Sequence, residues 1–351
     1  MSPSRRTFLK TTSLTLSSGM LASIAGCLSD SSASGNSSPT EPTTSNQSDE
    51  ASPPDFTQWL PDPTTTPLRD GYGFQYFNIA DIRAHQDAIH ENAYSRLENQ
   101  IRLPVPSEYI DVTAIDATVE IDFAIQLALG SFDPGAVGEQ LINDRQSSTT
   151  ASTQTPTTAT RTTWSEPERY KGFDLYGTDL VYAVSENALM AVSPMHEGDA
   201  VENTKAIIDT RATETSQYVD GNEYVAAMLG VVDDPHALWC YPEAMDGSTS
   251  RGFRKDIITG QLKSWQFGTK TTHLTWANTY PDTETAESGE LSEYIESESD
   301  RFGAYEGLDI KTEGRMAWTD GTIPTKEFDH LSPRGPGDGI TTSHESYRNP
   351  F

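Results

Sequence analysis

The sequence predicts an α+β fold, with mainly antiparallel sheets, packed helices and two pseudo-repeated subdomains. Three observations carry this. Residues 117–129 alternate strictly, with Val119, Ile121, Phe123, Ile125, Leu127 and Leu129 on one side and Glu120, Asp122 and Gln126 on the other. A strand with one wet face belongs to an antiparallel sheet. Helical periods lie between such strands, and the order of elements recurs in the second half of the chain.

The elements follow in order. A strand at 73–79 is expected to pair with one at 237–241. Ile82, Ile89, Ala93, Leu97 and Ile101 share a helical face, with Asp81 placed to cap it and Pro104 to end it. The alternating strand at 117–129 comes next. Asp133-Pro134 then opens a helix with Val137 and Leu141 on its buried stripe, an N-cap followed by proline in the first turn. Short strands at 171–175, 180–184 and 188–192 are separated by Gly177-Thr178-Asp179 and Ser185-Glu186-Asn187. A helix at about 199–213 and an apolar strand at 224–232 complete the first half.

The repeat rests on matched residues. Tyr170-Lys171-Gly172-Phe173-Asp174-Leu175 recurs as Tyr305-Glu306-Gly307-Leu308-Asp309-Ile310, and Ser185-Glu186-Asn187 is matched to Asp320-Gly321-Thr322 at the same offset of 135. Upstream, Ile121 and Phe123 match Leu274 and Trp276, and Val137 and Leu141 match Leu291 and Ile295, at offsets of 153 and 154. The difference is about the length of a Ser/Thr-rich insert at 147–163, in which twelve of seventeen residues are Ser or Thr. The alternative arrangement is one continuous sheet built from both copies.

Composition sets the function classes. The chain has 351 residues, 24 Lys+Arg against 52 Asp+Glu, a net charge of −28 and 35% apolar residues. Phosphate backbones would be repelled, so no nucleic-acid partner is expected. Two cysteines exclude a disulfide scaffold and a multi-cysteine zinc site. Lysine is scarce, 8 against 16 arginines. An acidic, lysine-poor surface is the signature of a halophile, because at molar salt the Debye length is about 3 Å and self-repulsion is screened.

The N-terminus carries an address. Ser4-Arg5-Arg6-Thr7-Phe8-Leu9-Lys10 resembles the twin-arginine export motif, through Arg5 and Arg6. A short apolar stretch and then Ile24-Ala25-Gly26-Cys27 follow, the latter resembling a lipobox with Cys27 as the lipidated residue. The chain resembles a haloarchaeal twin-arginine-exported lipoprotein of uncharacterised function, in motifs confined to residues 1–27. That resemblance implies passage through the twin-arginine translocase and a lipid on Cys27 holding the protein at the extracellular face of the cell membrane. The expected organisation is a signal peptide at 1–26, a disordered Ser/Thr/Pro tether at 27–55, a first subdomain at 56–232, a second at 233–331 and a disordered tail at 332–351. Asn36 and Asn46, the two N-x-Ser/Thr sequons, lie in the tether and are glycosylation candidates. Loss of residues 1–26, with three positive charges and no acid, leaves a mature charge of −31.

No familiar catalytic signature occurs: no Gly-x-Ser-x-Gly, no His-Glu-x-x-His, no P-loop. The sequence points to no catalytic residue and no cofactor, although a missing motif does not exclude catalysis. His85 and His90, five apart on the expected first helix, diverge by about 140°, whereas Asp81 and His85 could share a face. Asp233, Asp234 and His236 are the candidates for a cation. Cys240, between Trp239 and Tyr241, reads as a small core hydrophobe. The reading is a non-catalytic binding or envelope module for an unknown protein or polymer ligand. The alternatives are a transporter's solute-binding receptor and an exported hydrolase with an unfamiliar site.

Overall fold

The computed structural model describes residues 55–68, 71–151, 166–193, 199–242, 257–298 and 302–328. Arg5, Arg6, Cys27, Asn36, Asn46, the tether to residue 54 and the tail at 332–351 lie outside them, as do residues 152–163 of the Ser/Thr insert. A short 3-10 helix, Asp55–Trp59, precedes β1 (Phe74–Asn78), α1 (Ile79–Ala84), α2 (Glu91–Gln100), β2 (Ile115–Ile121), β3 (Ile125–Gly130) and α3 (Pro134–Ala151). Then come β4 (Glu168–Tyr170), β5 (Phe173–Tyr176), β6 (Val181–Val184), β7 (Ala188–Val192), α4 (Ala200–Arg211), α5 (Tyr218–Gly221) and α6 (Glu223–Gly230). The second half holds β8 (Ala237–Tyr241), β9 (Gly260–Phe267), β10 (Thr271–Thr279), α7 (Thr283–Glu287), α8 (Glu290–Ser297), β11 (Glu306–Glu313) and β12 (Met316–Pro324).

The fold is α+β. The twelve strands among the described residues form one antiparallel sheet in the order β11-β12-β10-β9-β8-β1-β2-β3-β7-β6-β5-β4. The expected pairing of the first strand with 237–241 is present as β1–β8, with Phe74 opposite Cys240 and Phe77 opposite Ala237. Outward from that pair the strands run β1-β2-β3-β7-β6 one way and β8-β9-β10-β12-β11 the other. Each half therefore has the same order, and β5 and β4 extend the first. The sheet runs unbroken across the boundary expected at 232/233.

Because side chains alternate along each strand, both faces carry apolar side chains and both bear packed helices. The first face carries Phe77, Trp239, Trp265, Leu274 and Trp276 under Ile82 of α1, Leu97 of α2, Leu141 of α3 and Leu291 and Tyr294 of α8. Trp276 stacks on Tyr294 at 5.9 Å between ring centroids and meets Phe302 edge-on at 5.4 Å. The second face carries Phe74, Val119, Leu127, Met190 and Leu262 under Ile207 and Ile208 of α4, Tyr218 of α5 and Val225, Met228 and Leu229 of α6. Cys240 is fully buried there, as a small core hydrophobe.

Four sequence expectations are corrected. The first helix is two helices: His85 ends α1, and His90 starts α2 by accepting a hydrogen bond from Asn92 N at its Nδ1. The apolar stripe from Ile82 to Leu97 is met equally by two short helices on one core. The strand at 117–129 is a hairpin, with Asp122 and Phe123 in its turn at φ 45° and 60°. Ile121 opposes Ile125, so the same side faces the core before and after the turn, and the alternation continues through it. Gly73 fastens the turn: its N–H donates to Asp122 Oδ1 at 2.9 Å and its carbonyl accepts from Asp122 N at 3.0 Å. The strand expected at 224–232 is α6, capped by Asn222, whose side chain accepts from Tyr224 N and Val225 N. Its buried Val225, Met228 and Leu229 have helical spacing, which a short apolar run does not declare.

The fourth correction is the register of the repeat. Matching Ile121 to Leu274 equates β2 with β10, but β9 holds the place of β2. Asp320-Gly321-Thr322 lies inside β12, and the hairpin turns instead at Gly314-Arg315. Tyr170–Leu175 spans β4, a turn at Lys171-Gly172 and β5, whereas Glu306–Ile310 opens β11 through a register shift. Both glycines have positive φ, 88° at Gly172 and 76° at Gly307. One Gly-centred pattern thus serves a tight turn in one place and a bulge in the other. Of the matched pairs, Val137 and Leu141 with Leu291 and Ile295 fall on corresponding elements, α3 and α8.

Candidate functional site

The cation candidates divide. Asp234 and His236, which lead into β8, meet Asp81 of α1, and one ligand-type atom from each lies within 4.8 Å of the others. Asp233 sits elsewhere, beside the groove described below. Asn78 caps α1 by accepting from Asp81 N, and its amide donates to Asp81 Oδ2 at 2.5 Å. Asp234 holds a left-handed turn at φ 42°. His85 joins the cluster, its ring 5.4 Å from that of His236.

The hydrogen bonds assign the tautomers. Phe267 N–H donates to His236 Nδ1 at 3.1 Å, so the proton of neutral His236 is on Nε2, 3.9 Å from Asp81 Oδ2. A metal on that Nε2 would displace the proton while Nδ1 went on accepting, which needs an imidazolate. A ligating histidine ordinarily donates through its second nitrogen. His236 therefore does not fit a metal, and the cluster reads as a polar seam between the two halves. Burial pushes the His236 pKa below its ordinary 6.5, against the opposing effect of Asp81 and Asp234. In His85, Nδ1 donates to the Asp81 carbonyl at 2.8 Å.

The second polar feature is a groove of about 530 Å³ on the second face. In the first half that face is covered by α4, which packs on β6 and β7, while in the second half α6 packs on β9 and β10. Beyond α6 the strands β9, β10 and β12 present Gln266, His273, Thr275, Asp320 and Thr322 to the groove, with buried Ser264 among its lining residues and Asp233 and Glu306 at the margin. The alternation that buries Leu274 and Trp276 on the first face turns His273 and Thr275 to this one. Asp320 is fixed by two donors, Thr275 Oγ1 at 2.9 Å and Lys311 Nζ at 2.8 Å. That carboxylate holds the Lys311 ammonium above the ordinary lysine value.

Two more groups depart from ordinary core or surface chemistry. Glu120 on β2 is 6% exposed. Its Oε2 lies 3.6 Å from Arg102 Nε, and its Oε1 has no hydrogen-bond partner among the described residues. Burial raises its carboxyl from 4.5 to about 7, against the lowering effect of Arg102. Phe123, in the β2–β3 turn, is 54% exposed, with the Arg102 guanidinium 5.3 Å from its ring centroid.

Sequence reasoning missed the groove. Its one signal is the row Thr271, His273, Thr275, which reads simply as a wet strand face. Only topology tells that a helix covers the counterpart face and leaves this one open.

No family model matches the chain, and no curated protein matches it. Among solved structures, crystal form I of TP0453 aligns at TM-score 0.40 and 11% identity, over 79% of this chain and 95% of that one. Crystal form III aligns at 0.38 and 12%, with the same coverage. Crystal form IV aligns at 0.35 and 12%, over 72% and 89%. No helix among the described residues is long and apolar enough to cross a membrane.

Proposed function

We propose that this chain is a non-catalytic binding module, exported by the twin-arginine route and held by a lipid on Cys27 at the outer face of a halophile's membrane. The observation that carries the binding reading is the open groove over β9, β10 and β12. Polar side chains from three adjacent strands converge there on a fixed carboxylate, where the corresponding face of the first half lies under α4. A transporter's receptor needs two lobes that close on a solute. Here both halves share one sheet through β1–β8, which favours the module.

Fractionation of cells tests the address, and envelope binding tests the module. The native chain is expected in the membrane fraction, Cys27→Ser in the medium, and the Arg5→Lys, Arg6→Lys double variant inside the cell. Purified Cys27→Ser protein, concentrated far above its level in the medium, should sediment with added cell envelopes in molar salt and wash off on dilution, and Thr275→Arg in the groove floor should lower this binding about tenfold, on the order of 1.4 kcal/mol. A Cys27→Ser protein that stays in the membrane overturns the lipid anchor. Sedimentation unchanged by Thr275→Arg overturns the groove as the binding face.

A further inference from the structure

We propose that the groove takes an uncharged, polyhydroxylated ligand, a segment of neutral glycan laid along β12. This rests on the binding-module reading and names its ligand class. Gln266, His273, Thr275 and Thr322 each offer both donors and acceptors. A sugar hydroxyl does the same, so each contact can be made in either sense. A cation would use acceptors alone and leave half of this set idle. An anion would meet Asp320 and the marginal carboxylates on a chain of net charge −28.

Asp320 suits the part of anchor. Thr275 and Lys311 hold its two oxygens from different sides, and a carboxylate with one donor on each oxygen keeps lone pairs for two neighbouring hydroxyls. Its position is set before a ligand arrives, which reduces the ordering cost of binding. Two residues along β12, Trp318 lies on the same face, half-buried, between Ala277 of β10 and Lys311 of β11. An indole beside hydroxyls and a carboxylate gives an apolar surface for the C–H face of a pyranose and polar partners for its edge. The ligand class also suits strong brine, because contacts to a neutral ligand lose little to ionic screening.

The test uses the full Cys27→Ser chain in molar salt. It is titrated calorimetrically and by tryptophan fluorescence with neutral oligosaccharides, a sulfated oligosaccharide and spermidine. A neutral oligosaccharide is expected to bind and the sulfated one to fail. Thr275→Arg and Trp318→Ala should each weaken binding about tenfold or more, on the order of 1.4 kcal/mol, with the circular dichroism of the native chain retained. Spermidine bound in place of sugar, and lost in the same variants, overturns the glycan class and leaves the binding module standing. Sugar binding that ignores both substitutions overturns the location. If no neutral oligosaccharide binds, the inference fails; envelope sedimentation still sensitive to Thr275→Arg then keeps the module reading apart from it.

Discussion

Replacing Glu120 with glutamine is expected to stabilise the protein at neutral and alkaline pH and to do little in acid. In the fold, Glu120 sits on β2 opposite Gln75 of β1 and Gln126 of β3. It has one exposed cation nearby and one carboxylate oxygen without a partner among the described residues. Its carboxyl is raised from 4.5 to about 7, chiefly by burial. A carboxyl raised in the folded state holds its proton more tightly folded than unfolded. Its contribution to stability is therefore complete below 4.5 and is lost as pH rises through about 7. At ~1.4 kcal/mol per decade of pKa, the loss is about 3 kcal/mol. Solvent screening takes little from this, because the side chain is 7% exposed. Glutamine keeps the shape and one carbonyl acceptor and cannot ionise. The assay is urea unfolding of both proteins in molar salt, with pH stepped from below 4.5 to above about 7. Taking the difference between variant and native protein cancels the many surface carboxylates. The difference should grow across that window and then level off. Parallel stability curves would show that Glu120 is solvated or well paired, and would refute the reasoning.

Three further outcomes are expected. With a net charge of −28, dilution from molar to low salt should expand or unfold the body, read by circular dichroism; a fold that melts cooperatively in low salt would end the halophile reading. Phe123→Gly should raise stability by about 1 kcal/mol in urea unfolding, because a left-handed backbone at φ 60° costs an L-residue about that much; a loss of stability would mean that the Arg102–Phe123 contact outweighs the strain. Cys240, whose thiol burial pushes far above its ordinary value, should react with a thiol reagent only in denaturant, and rapid reaction in the native protein would show that the second core opens locally.

How much was legible in the sequence depends on which force set each element. The α+β class and the antiparallel sheet could be read because Val119, Ile121, Ile125 and Leu127 obey period two, and the helix expected at about 199–213 is present as α4, with Asp199 as its N-cap. The β2–β3 turn was hidden because neither Asp122 nor Phe123 is a glycine, and the geometry is held by hydrogen bonds to Gly73, far away in sequence. In α6 the residues suit a strand, and burial at helical spacing decides otherwise. The repeat was legible as an order of elements and not as a residue alignment, since glycine patterns report a local backbone need and not a position in a sheet. Of the expected cation residues, the fold joins Asp234 and His236 to Asp81 and sends Asp233 to the groove. The groove needed strand order, which no local pattern contains.

The β1–β8 pair has a consequence for how the chain is made. Until Tyr241 has been synthesised, β1 is paired only with β2, and its other edge, Phe74 to Phe77, stands open in what will become the middle of the sheet. Unpaired apolar edges recruit other strands. A product broken off between α6 and β8 would keep that edge for good, and two such fragments could join through it as antiparallel mates. Truncation in the middle of this chain should therefore yield sticky, self-associating halves in place of a smaller soluble domain. The second half acts, toward the first, as an internal chaperone that arrives late and never leaves.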